Sequence, residues 1–121
     1  MAAKEIVSGG LLIAAETMSG DFTYANGKSK LMRTGRTGKI GLHCKSAGTP
    51  DHVGVIKIRA MNSADDAGTC LAVPQLTVAT GTLVDAILEL QVNAKYIEVW
   101  YDRTSGGASD TLTVTAIAMR A

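Results

Sequence analysis

The sequence predicts an all-β domain, a jelly-roll-like β-sandwich of about seven to eight antiparallel strands, and three observations carry that prediction. Apolar and polar residues alternate along several short segments, the two-residue period of half-buried strands. The loops between them are rich in Gly, Ser, Thr and Asp, and the chain holds 13 glycines. Such regular turn signals separate many short strands and leave little room for long helices. With 121 residues and neither a Pro-rich nor a Gly/Ser-rich linker, residues 1–121 are read as a single domain.

The elements follow in order. Residues 1–10, MAAKEIVSGG, suit an extended N-terminal arm. Leu11 to Ala15 is continuously apolar over so few residues that a strand buried on both sides is expected, with a short helix as the competitor. Asn26-Gly27 supplies positive φ at low cost and is expected to close a tight hairpin between Phe22–Tyr24 and Lys30–Met32. Arg33 to Lys39, RTGRTGK, reads as a glycine-spaced basic loop.

A strand is expected from Lys39 to Cys44, with Ile40, Leu42 and Cys44 on one face and Gly41 and His43 on the other. Pro50-Asp51 turns the chain into a strand from Val53 to Met61, where Ile56, Ile58 and Ala60 oppose Lys57 and Arg59. A polar loop covers 62–69. Cys70 to Ala79 reads as a further strand, which Pro74 demotes to an edge or breaks. Leu83 to Val92 fits both helical and strand periods; its ten residues between close turn signals favour a strand.

The last quarter, Lys95 to Arg120, has two alternating arms around Ser105-Gly106-Gly107-Ala108-Ser109-Asp110, the sequence form of a β-hairpin. In the first arm Ile97, Val99 and Tyr101 share one face and Tyr96, Glu98, Trp100 and Asp102 the other. In the second, Leu112, Val114, Ala116 and Ala118 oppose Thr111, Thr113 and Thr115.

Chemistry-bearing motifs are sparse. Cys44 and Cys70 form no disulfide framework and are expected as reduced, structural thiols. His43, Cys44, His52 and Cys70 lack the spacing of a zinc site. Gly35-Arg36-Thr37-Gly38-Lys39 is too short for a phosphate-binding loop, and Ile40 stands where a hydroxyl is needed. No GxSxG elbow is present, and Asp65-Asp66 reads as a solvated turn. Hence no catalytic residue, metal site, cofactor or small-molecule substrate is expected, and the chain is not read as an enzyme. No segment has the ~20 apolar residues of a membrane-crossing helix. Leu11–Ala15 is likewise too short for a signal-peptide core, so export by that route is not expected.

The net charge of +1 conceals an asymmetry. Lys28, Lys30, Arg33, Arg36, Lys39 and Lys45 fall between Phe22 and Pro50 with no acid among them, leaving the rest of the chain acidic. Near-neutrality and the shortage of stacking aromatics argue against nucleic acid and for an acidic protein surface as the partner. Arg33, Arg36 and Lys39 are therefore candidate interface residues. Tyr96 and Trp100 join them as aromatic candidates for a subunit contact, although Trp100 covering a core from a second layer is an equal reading.

In its C-terminal run LVDAILELQVNAKYIEVWYDRTSGGASDTLTVTAIAM, its small-residue N-terminus and its full-length β pattern, the chain resembles the capsid cement or decoration proteins of tailed bacteriophages. The resemblance covers the architecture of most of the chain. It implies a jelly-roll or sandwich domain that forms dimers or trimers on the outer surface of the virion head. Such a protein is made in the host cytoplasm, bridges major capsid subunits and reinforces the shell. A head–tail or tail accessory protein, or a small carbohydrate- or nucleic-acid-binding module, is the alternative.

Overall fold

A computed structural model describes residues 4–34, 39–63, 69–70, 76–78, 81–91 and 93–120. Among them there is no helix. Ten strands run in chain order: β1 (Ile6–Val7), β2 (Gly10–Thr17), β3 (Leu31–Arg33), β4 (Lys39–Gly48), β5 (Val53–Met61), β6 (Thr69–Cys70), β7 (Leu76–Val78), β8 (Asp85–Leu90), β9 (Tyr96–Ser105) and β10 (Asp110–Arg120). They form two packed sheets. The first has the order β1-β3-β9-β5, with β6 and β7 sharing the outer edge of β5; the second has the order β2-β10-β4-β8. The ten described strands exceed the expected seven to eight because β1, β6 and β7 are only two or three residues long. One pairing, β1 with β3, is parallel rather than antiparallel.

Period-two patterning decides what lies between the sheets. Ile40, Leu42 and Cys44 of β4, Ile56 and Ile58 of β5, Ile97, Val99 and Tyr101 of β9, and Leu112 and Val114 of β10 are all buried. Phe22 stacks on Tyr101 with ring centroids 5.2 Å apart. Burying side chains of this size contributes roughly 1.5–3 kcal/mol each, which is why alternation and not local propensity selects the strands. Asp85–Leu90 confirms the strand reading of the 83–92 segment.

Three expectations are corrected. The two C-terminal arms do not form a hairpin: β9 lies in the first sheet and β10 in the second. Each arm has one apolar face, and those faces meet across the core instead of lying side by side. The connection is a tight arch through Gly106 (φ 69°) and Gly107 (φ 91°), packed so closely that a Cβ would collide with the carbonyls of Asp51 and Met18.

Asn26-Gly27 does turn the chain, with the Gly27 amide donating to the Tyr24 carbonyl at 3.0 Å, but it closes no hairpin. Phe22 bridges to Tyr101, and β3 pairs with β9 at Leu31↔Glu98. Both flanks are thus taken by the same edge of β9, because Phe22, Leu31 and Met32 must all be buried.

Finally, β2 is an edge strand and is not buried on both sides. Leu12 and Ile13 both enter the core and Leu11 stays exposed because the register with β10 slips by one residue at Leu12, between Val114↔Ile13 and Thr115↔Leu11; a second slip falls at Ala14–Ala15, where Ala15 has φ 48°. Asp65-Asp66, Pro74 and the proposed continuity of 70–79 lie outside the described residues. Of the N-terminal residues, Glu5 to Val7 run along β3, the Glu5 carbonyl accepting from the Leu31 amide at 2.9 Å.

Candidate functional site

The side chains that leave the core define two outer sheet faces. On the first sheet, Tyr96, Glu98, Trp100 and Asp102 project outward from β9, opposite to the buried Ile97, Val99 and Tyr101. Lys57 is the register partner of Trp100 and Arg59 that of Glu98. Their cations stand 4.6 Å and 4.4 Å from the Trp100 ring centroid, within cation–π range. Each cation is also held by a carboxylate: Lys57 Nζ donates to Asp102 at 3.0 Å and Arg59 Nε to Glu98 at 2.5 Å. Glu98 is wholly buried and also accepts the Tyr24 backbone amide, so the 22–30 loop is anchored beside this cluster.

Arg33 is exposed and pairs in register with Tyr96, so the structure brings those two candidates together. Trp100 shares their outward face. Lys39 belongs to the other sheet, exposed at the start of β4, and Arg36 lies outside the described residues. The basic stretch is divided: Arg33 sits on one sheet, Lys39 and Lys45 on the other, and Lys30 pairs with Glu5 at 3.5 Å.

The outer face of the second sheet was not expected from the sequence as a candidate. Register places Leu11 beside Thr115, Thr115 beside His43 and His43 beside Ile87, one residue from each of the four strands in a single transverse row. Leu11 is 41% and Ile87 58% exposed; Ile117, 49% exposed, stands at the β10 bulge beyond Thr115. Three of the four large exposed apolar side chains among the described residues therefore lie on one face. The fourth, Leu83, precedes β8. The next row on this face, Thr113 with Lys45 and Asp85, is polar and charged.

The titratable groups here have structural partners. His43 Nε2 and Asp85 Oδ1 are 2.7 Å apart, and that hydrogen bond holds the Asp85 carboxyl below its ordinary range. Burial pushes the Cys44 thiol up to about 12, as expected for an inert, structural thiol. Cys70's side chain lies outside the described ones. His52, grouped with possible metal ligands on sequence, is instead buried against Asp110. Among the described residues no three of His, Cys, Asp or Glu gather into a group suited to a metal ion. No helix there is long and apolar enough to cross a membrane.

The sequence matches no protein-family model and no curated protein.

Proposed function

We propose that this chain is a structural virion protein: a capsid cement or decoration protein that sits on the outer surface of the head, binds neighbouring major capsid subunits and bridges them as a homodimer or homotrimer. The observation that carries the proposal is the transverse row Leu11–Thr115–His43–Ile87 with Ile117 beside it. Exposed apolar residues collected on one sheet face are the mark of a contact surface. The opposite face adds Arg33 and Tyr96 as neighbours and Trp100 between two cations, residue types that anchor protein interfaces. Two adhesive faces on opposite sides of one sandwich suit a bridging role.

Strand order supports the jelly-roll reading. β2 pairs with β10, β3 with β9, β4 with β8 and β5 with β7, all antiparallel, with successive pairs alternating between the sheets. A long folded-over ribbon rolled into two sheets has this order.

The test is co-sedimentation with purified heads stripped of this protein. Wild-type chain is expected to pellet with heads, and a Leu11→Asp/Ile87→Asp variant to stay in solution. Reversal of Arg33, Arg36 and Lys39 to Glu is expected to weaken pelleting at low salt. Wild-type chain that never pellets contradicts the proposal.

A further inference from the structure

We infer that the free edge of β8 is a strand-addition site for an extended segment of another protein, one with basic residues at alternate positions around an apolar residue. The inference stands on edge geometry and applies whether or not the partner is a capsid subunit.

A sheet edge offers a row of unpaired backbone donors and acceptors, and folded proteins block such rows with short strands, bulges, Pro or Lys. Three of the four edges here are blocked. β1 is two residues long. β6 and β7, two and three residues, divide the next edge between them. β2 is bulged at Ala15, and its Leu12 carbonyl already accepts the Lys30 amide at 2.9 Å. β8 is neither short nor bulged, and its only guards are the exposed acids Asp85 and Glu89, which repel an acidic strand and admit a basic one. Its register with β4 runs unbroken from Lys45↔Asp85 to Ile40↔Leu90, it contains neither Pro nor Lys, and among the described residues nothing pairs with its far side.

The side chains of β8 specify the occupant. Asp85, Ile87 and Glu89 point outward and are exposed; Leu88 and Leu90 point into the core. A strand laid against β8 puts every second residue opposite an acid, an apolar residue and an acid. Opposite charges in directly facing positions stabilise a strand pair and like charges oppose it. The matching segment is therefore basic–x–apolar–x–basic. A second copy of β8 is a poor occupant, because antiparallel pairing centred on Ile87 sets Asp85 against the other copy's Glu89 twice.

The inward-facing residues of an added strand also find a place. Beside β8 a trough of about 320 Å³ opens between the sheets, walled by Leu76, Val78, Leu83, Val84 and Ala86. Apolar side chains at the two x positions would lie over it, so strand addition covers Leu83 while main-chain hydrogen bonds supply affinity.

The experiment titrates the isotope-labelled full chain with the acetylated, amidated heptapeptide TKVIVKT, following backbone amide signals. Shifts are expected to concentrate on residues 83–90 and to saturate below millimolar peptide. The acidic counterpart TEVIVET is expected to bind about tenfold more weakly or worse, two facing pairs having changed sign. Glu89→Lys, whose spectrum reports an intact fold, is expected to narrow or invert that preference. No saturation up to millimolar peptide, equal binding of both peptides, or shifts centred on Leu11 and Ile117 overturns the inference. So does a homodimer of the free chain that Ile87→Lys dissociates, since the edge is then taken by a second copy.

Discussion

His52 and Asp110 meet inside the sandwich with both side chains wholly buried, His52 Nδ1 against the Asp110 carboxylate. The contact ties the stretch leading into β5 to the first residue of β10 and so clamps the arch between the sheets. A buried pair of this kind is costly to break singly, since the survivor is left without its partner in a medium of low dielectric constant. Asp110→Leu is expected to cost about 3 kcal/mol or more. The double variant His52→Leu/Asp110→Leu should cost less than the sum of its two single changes. Chemical denaturation of all four proteins measures the coupling; additive losses would show that the two groups do not act together.

Alkaline pH should weaken the fold. Burial lifts Cys44 from 9.0 to about 12, and burial followed by the Asp110 charge lifts Tyr101 from 10.0 to about 12. In the folded chain both groups keep their protons where the unfolded chain has lost them. Their contribution is complete below the unfolded values and falls as pH climbs from about 9 toward 12. Denaturation midpoints measured across that range should drop steadily, and less so in Cys44→Ala than in the parent. In a Cys70→Ser background, Cys44 should also resist thiol reagents until the protein unfolds.

Asp85 behaves in the opposite sense. Its hydrogen bond to His43 lowers its carboxyl pKa, so the stabilisation is present above the ordinary carboxylate value and is lost as pH falls through the folded one. Being an exposed contact, it carries little stability. Carboxyl NMR titration should find Asp85 below the ordinary range, and His43→Ala should return it toward that range. An Asp85 titration unmoved by His43→Ala would contradict the pairing.

Two backbone positions give opposite expectations for the same pair of residue types. Gly107→Ala forces a Cβ into the Met18 carbonyl at positive φ, and the loss should exceed about 2 kcal/mol, with failure to fold as its extreme. Ala15 already sits at φ 48°, a region that disfavours any Cβ by about 1–2 kcal/mol. Ala15→Gly should therefore leave stability unchanged or raise it by up to about 1 kcal/mol, although glycine inside a regular strand ordinarily destabilises. Thermal melts of both variants decide the matter.

The strands were legible because alternation is local. Ile40, Leu42 and Cys44, or Ile56 and Ile58, announce an inward face from their own spacing, and each is buried. Pairing is not local. Ile97 to Tyr101 and Leu112 to Ala116 alternate identically whether the arms form a hairpin or face each other across a core. The groups that crowd the arch, the carbonyls of Met18 and Asp51, come from elsewhere in the chain. The surfaces follow the same rule. Trp100 and Tyr96 were placed on the outward face by period two, but their neighbours Lys57 and Arg33 come from other strands. Leu11 and Ile87 look like core residues in sequence, and only register across four strands shows them as an exposed row. His52, between Asp51 and Val53 just before β5, gave no local sign of its burial.

The most direct measurement is quantitative mass spectrometry of purified particles from the source, counting copies of this chain per major capsid subunit. A high, fixed ratio near one is the result expected of a protein that coats and bridges the shell. A handful of copies per particle would move it to the neck or tail, and complete absence from particles would contradict the virion assignment altogether.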